Sequence, residues 1–160
     1  MTKPFRTAAE QELLSVRALE RRVANLERAG AGLPSSFKAA TGDLVLTTSA
    51  ADVPGASIAI VRPGRYLVVA MYDVNVSVAG AGLTVFGTIA TVGSATLNAP
   101  PALQNMDTVE RATKFAFALA TFAGAGTVKL TANKNGAGGT ATVIFGIGST
   151  ALTAIRTGPA

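Results

Sequence analysis

Cysteine, histidine and tryptophan are all missing from the 160 residues. Without cysteine there is neither a disulfide framework nor a thiolate metal site. Losing histidine as well removes the usual zinc sites, the Ser-His and Cys-His nucleophile pairs and the commonest general base. Any hydrolysis is left with carboxylates or lysine. Charge is also scarce, at 14% of residues against about 25% in an ordinary soluble domain, which points to a surface partly covered in an oligomer. The longest strongly apolar run, residues 66 to 72, falls far short of the roughly 18 to 20 residues that span a bilayer. After Lys3 and Arg6 the chain continues with polar, helix-forming residues 7 to 15, so no secretory signal and no membrane insertion are expected.

What is present is 49% apolar residues and 17 glycines, with many Ala, Thr and Val. A Gly-rich, β-branched, charge-poor chain of this length favours one all-β domain with an appendage. The formal charge of +5 splits into +2 for residues 1 to 36 (six basic, four acidic) and +3 for the rest (eight basic, five acidic). No dense basic block or basic stripe with interleaved aromatics results, so nucleic acid is not an expected partner.

Residues 8 to 29 carry the one convincing helix pattern, with Thr7 as N-cap, Glu10 completing a capping box and Gly30 as the stop. With Val16 at position a, Leu19 falls at d, Val23 at a and Leu26 at d, a 3-4-3 seam flanked by Arg22 at g and Glu27 at e. In a parallel bundle those two charges pair between chains. Val at a with Leu at d would by itself lean toward a dimer; the Arg-Glu pattern moves the expectation to three strands. The seam is about two heptads long and marginal alone, so it sets register while most association energy comes from elsewhere. Arg17, Arg21, Arg22 and Arg28 are interspersed with Glu20 and Glu27, which fits a solvated helix face and interchain ion pairs. A connector over residues 29 to 36, rich in Gly, Pro and Ser, ends this part.

From there the period changes from 3.6 to 2. Strands are expected over 43–47, 57–61, 66–78, 83–91, 113–122, 127–133, 140–147 and 151–156. Turns are expected at Arg62-Pro63-Gly64, at Gly80-Ala81-Gly82 and at Asn135-Gly136. Eight short strands suggest a two-sheet jelly roll. In the strand from Tyr66, one face carries Tyr66, Val68, Ala70, Tyr72, Val74, Val76 and Val78 and is read as core. The other is apolar at Leu67, Val69 and Met71 but polar at Asp73, Asn75 and Ser77, which asks for cover by a neighbouring subunit or a loop of the same chain. Phe115, Phe117 and Leu119 face one way and Ala116, Ala118 and Ala120 the other, allowing a second layer to approach closely.

Residues 96 to 112 form the longest unpatterned stretch, and Asn98, Asn105, Asp107, Glu110 and Arg111 make it the candidate receptor or glycan loop, against a plain structural wrap around the sheet edge. The glycine runs at 124–126 and 136–139 lack a following Lys-Ser or Lys-Thr and read as β-turns rather than phosphate loops. Asp107 and Glu110 read as solvated or bridged to Arg111 rather than catalytic. A calcium site there would lack the EF-hand spacing. No catalytic residue, cofactor or metal is assigned.

Two passages resemble a known group. Pro63-Gly64-Arg65-Tyr66-Leu67-Val68-Val69 is similar to the Gly-x-Tyr strand entry of C1q-like and tumour-necrosis-factor-like jelly rolls. Residues 127–132 and 149–158, ending Ser149-Thr150-Ala151-Leu152-Thr153-Ala154-Ile155-Arg156, resemble the closing strands of that fold in small virion proteins of tailed bacteriophages: minor tail, fibre and head-fibre proteins. The likeness covers roughly residues 37 to 158 on short motifs. It implies a homotrimer packed about a three-fold axis, often beside a coiled-coil stalk. The stalk here is short and there is no collagen-like repeat, so a compact knob is expected rather than a long fibre.

The combined expectation is an all-β, eight-stranded jelly-roll sandwich of C1q/TNF type (37–160) behind a short α-helical coiled coil with docking segment and linker (1–36). The functional expectation is a non-enzymatic virion protein, assembled in the host cytoplasm, on head or tail. Its partners would be itself as a homotrimer and other virion proteins through residues 1 to 15, with Leu67, Val69 and Met71 at the knob interface. The competing expectations are a module binding host-surface glycan and, more remotely, a tail-associated hydrolase.

Overall fold

The computed structural model describes residues 35–99, 102–106, 108–136, 138–146 and 148–160, with 102–105 as backbone. The helix, its seam residues Val16, Leu19, Arg22, Val23, Leu26 and Glu27, and Asp107 all lie outside the described residues.

Nine strands are described: β1 (Ser35–Ala39), β2 (Leu44–Val45), β3 (Ala51–Ile60), β4 (Gly64–Val78), β5 (Thr84–Asn98), β6 (Ala102–Asn105), β7 (Arg111–Lys134), β8 (Thr140–Ile144) and β9 (Ala151–Gly158). All described pairings are antiparallel. They form one continuous sheet that curls on itself into two facing layers. The first runs β1-β9-β4 and on to the first half of β7, with β8 and β2 continuing from the far end of β4. The second runs β3, the second half of β7, the first half of β5, then β6. The long strands β5 and β7 belong to both.

That sharing corrects the expected turn at 124–126. Gly93 pairs with Gly126 and Ala95 with Phe122, so residues 123–125 of β7 oppose Ser94 alone. This is a bulge that bends both strands together, and the chain does not reverse. Glycine is required at its end: a Cβ on Gly126 would lie 2.6 Å from the Phe122 ring. Phe122 in turn meets Tyr66, its diagonal neighbour on β4, edge-on, with centroids 5.9 Å apart.

Other expectations shift at the edges. Ser35 and Ser36, read as connector, open β1, and β3 begins at Ala51 rather than at 57 because a bulge between Asp52 and Ser57 absorbs Pro54. Proline is tolerated there because β3 pairs with β7 alone. β2 and β8 are shorter than expected. Val78 is 54% exposed instead of core, since a register shift after Val76 turns it off the face.

The core lies where period-2 reading puts it. Tyr66, Val68, Ala70, Tyr72, Val74 and Val76 are buried, and they meet Ile58, Val85, Ile89, Val128 and Leu130 from the second layer. Ala116, Ala118 and Ala120 are the buried face of β7, which leaves room for the tyrosines. The Tyr72 hydroxyl reaches the Gly87 backbone on β5, and a side chain at Gly87 would collide with it. Desolvation pushes the Tyr72 pKa up to about 12, the Gly87 hydrogen bond offsetting part of the rise.

Candidate functional site

The outward face of the first layer is apolar across four strands. Register places Leu67 beside Leu119, Val69 beside Phe117 and Met71 beside Phe115 on one side of β4. On the other side Leu67 meets Ile155 and Val69 meets Thr153, and β1 extends the Thr153 row to Phe37. These are direct cross-strand neighbours, so the side chains form a continuous surface. Three inter-strand spacings and four residues of strand make it roughly 14 by 13 Å between Cα rows. Phe37, Phe115, Phe117 and Leu119 are 55%, 54%, 60% and 61% exposed, while Leu67, Val69 and Met71 between them are half-buried. A shallow hollow of about 380 Å³ opens among Leu67, Asn98, Phe117, Ala118 and Leu119.

No described loop covers this face, although cover by the same chain was one of the two sequence readings. Nor does any charged residue interrupt it among the rows named. Charges stand at its two ends. At one end Asp73 is buried between strands: its Oδ2 accepts from Arg111 Nη2 at 2.8 Å and Nε at 3.2 Å, and its Oδ1 from Thr113 Oγ1 at 2.6 Å. Arg111 Nη2 also donates to Ser149 Oγ at 3.1 Å, and the Asp73 amide donates to Thr150 Oγ1 at 3.3 Å. The carboxylate is fully satisfied, so it fixes the β4-β7 register at that end. At the other end Arg65 Nε donates to the Pro159 carbonyl.

The residues of the expected receptor loop are not gathered into one surface. Residues 102–105 form β6 against the start of β5, which removes the long loop. Asn98 sits beside Leu119 at the apolar face, Asn105 pairs with Thr84 in the other layer, and Arg111 opposes Asn75. Along β7, positions 119 and 111 are about 26 Å apart. Arg111 pairs with Asp73, two residues along the partner strand on the same face, and Asp107 lies outside the described residues. Glu110 is exposed, its carbonyl accepting from the Val76 amide. Of the residues on this apolar face, Leu67, Val69 and Met71 were singled out from sequence, whereas Phe37, Phe115, Phe117, Leu119 and Ile155 were not. The Phe/Ala alternation over 115–120 carried the signal.

No protein-family model matches this sequence, and no curated protein does. Among solved structures, the chain is similar to the Eiger TNF of S. frugiperda, with a TM-score of 0.50 at 14% identity, covering 79% of this chain and 93% of that one. The fold is a TNF-like jelly roll. The curled sheet with its two strands shared between layers is the form that likeness takes here.

Proposed function

We propose that this chain is a non-enzymatic structural protein whose jelly-roll knobs associate as a homotrimer through the apolar face of β1, β9, β4 and β7. The uncharged, uncovered row of Leu67, Val69, Met71, Phe115, Phe117 and Leu119 carries the reading. An uncharged apolar patch of roughly 14 by 13 Å between Cα rows, with large side chains left exposed, suits the centre of an interface. Covering the exposed half of each large side chain contributes about 1 kcal/mol. That is the core of an interface, and the surrounding rim and the N-terminal seam supply the rest. Trimers are common among TNF-like folds, and the Arg22-Glu27 heptad pattern asks for the same symmetry.

The carboxylates fit a structural role. Asp73 is held by Arg111 and Thr113, and Asp52 by Lys129 at 2.9 Å. Asp43 accepts from the Phe145 amide. The finer reading, a knob on a bacteriophage head or tail docked through residues 1 to 15, rests on the sequence resemblance of 63–69 and of the closing strands. Light scattering on the full-length chain tests the association: a mass of three 16.1 kDa chains is expected, and a monomer at micromolar concentration contradicts it. Co-purification with virions tests the placement.

A further inference from the structure

At the Arg65 end of the molecule, the mouth between the two layers holds a pocket of about 270 Å³. Its lining includes Arg62 and Arg156, the hydroxyl-bearing Ser35 and Ser36, and Ile60 and Tyr66, with no carboxylate. The Arg156 side chain and the Arg62 backbone are held by their surroundings. The Arg156 guanidinium donates from Nε and Nη2 to the Pro63 carbonyl at 3.2 and 3.0 Å, which leaves three of its five N–H groups without a partner among the described residues. The carbonyl of Arg62 accepts from the Tyr66 hydroxyl at 2.8 Å, fixing the turn that presents its side chain.

Among the described residues, neither arginine forms an ion pair with an acid. Asp73 and Asp52 have their own cations. Glu110 stands beside Val76, ten residues along β4 from Tyr66, about 33 Å of strand. Two arginines lining one concave site, with no carboxylate beside them among the described residues, suit an oxyanion. A bare anion would leave much of the space empty, while the volume lies just below the usual range for drug-sized ligands and so suits a small one. The remaining wall mixes serine hydroxyls, which both donate and accept, with the apolar Ile60 and Val61. That combination suits a ring bearing hydroxyls on its edge and C–H groups on its faces.

We propose that this pocket binds an acidic sugar, holding its carboxylate or sulfate between Arg62 and Arg156. The site does not depend on whether the knobs associate, so its test is separate from that of the trimer. Methyl glucuronide, galactose 6-sulfate, neutral methyl glucoside and inorganic sulfate are titrated by calorimetry into the full-length chain. At least one acidic sugar is expected to bind saturably and tenfold or more tighter than both the neutral sugar and sulfate, and which of the two does so identifies the anion. Arg62→Ala, at an exposed turn, should weaken that binding at least tenfold, and Arg156→Lys, which loses the fork, at least fivefold. Lys129→Ala should leave it unchanged. Acidic sugars no better than the neutral one, sulfate binding as tightly as the sugars, or Arg62→Ala binding as the wild type would each overturn the assignment.

Discussion

The two halves of β7 are one strand with the same alternation, yet they present opposite outer surfaces. Beyond the bulge, Val128, Leu130 and Ala132 are buried while Thr127, Lys129, Thr131 and Asn133 face outward, the pattern of a sheet with one wet side. Before it, Ala116, Ala118 and Ala120 are buried and Phe115, Phe117 and Leu119 face outward. The small residues are inside and the large ones outside. Hydrophobic burial within one chain would favour the reverse, and this inversion is what the proposed cover of the first layer by another copy would account for.

The largest effect on this comparison comes from the shared interior. Leu130→Ala empties a fully buried site in the wet half, and should lower unfolding free energy by about 2–5 kcal/mol in denaturant titrations. Second is the alkaline limit. Tyr72 is neutral in the fold, and its pKa of about 12 lies above the unfolded value of 10.0. Its contribution is therefore complete below pH 10 and lost as pH rises to 12. A rise of about two units corresponds to a few kcal/mol, and Tyr72→Phe should flatten the stability profile across that window. Third, Asp73→Ala leaves Thr113 and the Asp73-facing edge of Arg111 unpaired, with an expected cost of about 1–3 kcal/mol. It also loosens the end of the apolar face. The smallest effect belongs to Asp52→Ala: its pair with Lys129 is exposed, so a change of no more than about 1 kcal/mol is expected.

Sequence alone showed the core side of β4, because strict alternation over six buried positions leaves little choice of face. It also raised the expectation that the opposite side, Leu67 to Met71, is covered by a neighbouring subunit or a loop. It could not show that Phe115, Phe117 and Leu119 lie against those residues, since that depends on a register between strands about fifty residues apart. The Asp73-Arg111 pair was hidden for the same reason, and the nearer Asp107 and Glu110 drew the attention. β1 and β6 were missed because five and four residues are too few to display a period beside Pro34 and Pro101. The Gly-Ala-Gly run misled because glycine serves a bend as readily as a reversal, and only pairing on both sides of it distinguishes the two.

The central claim is that the outward face of the first half of β7 is an interface between copies while that of the second half is not. Molar mass by light scattering, measured on full-length Phe117→Glu and Thr127→Glu, tests it most directly, since the two positions share one strand and both face outward. Phe117→Glu is expected to give single chains with β-sheet circular dichroism, and Thr127→Glu to keep the wild-type trimer. A trimer that survives Phe117→Glu, or one lost equally in both variants, would contradict the account.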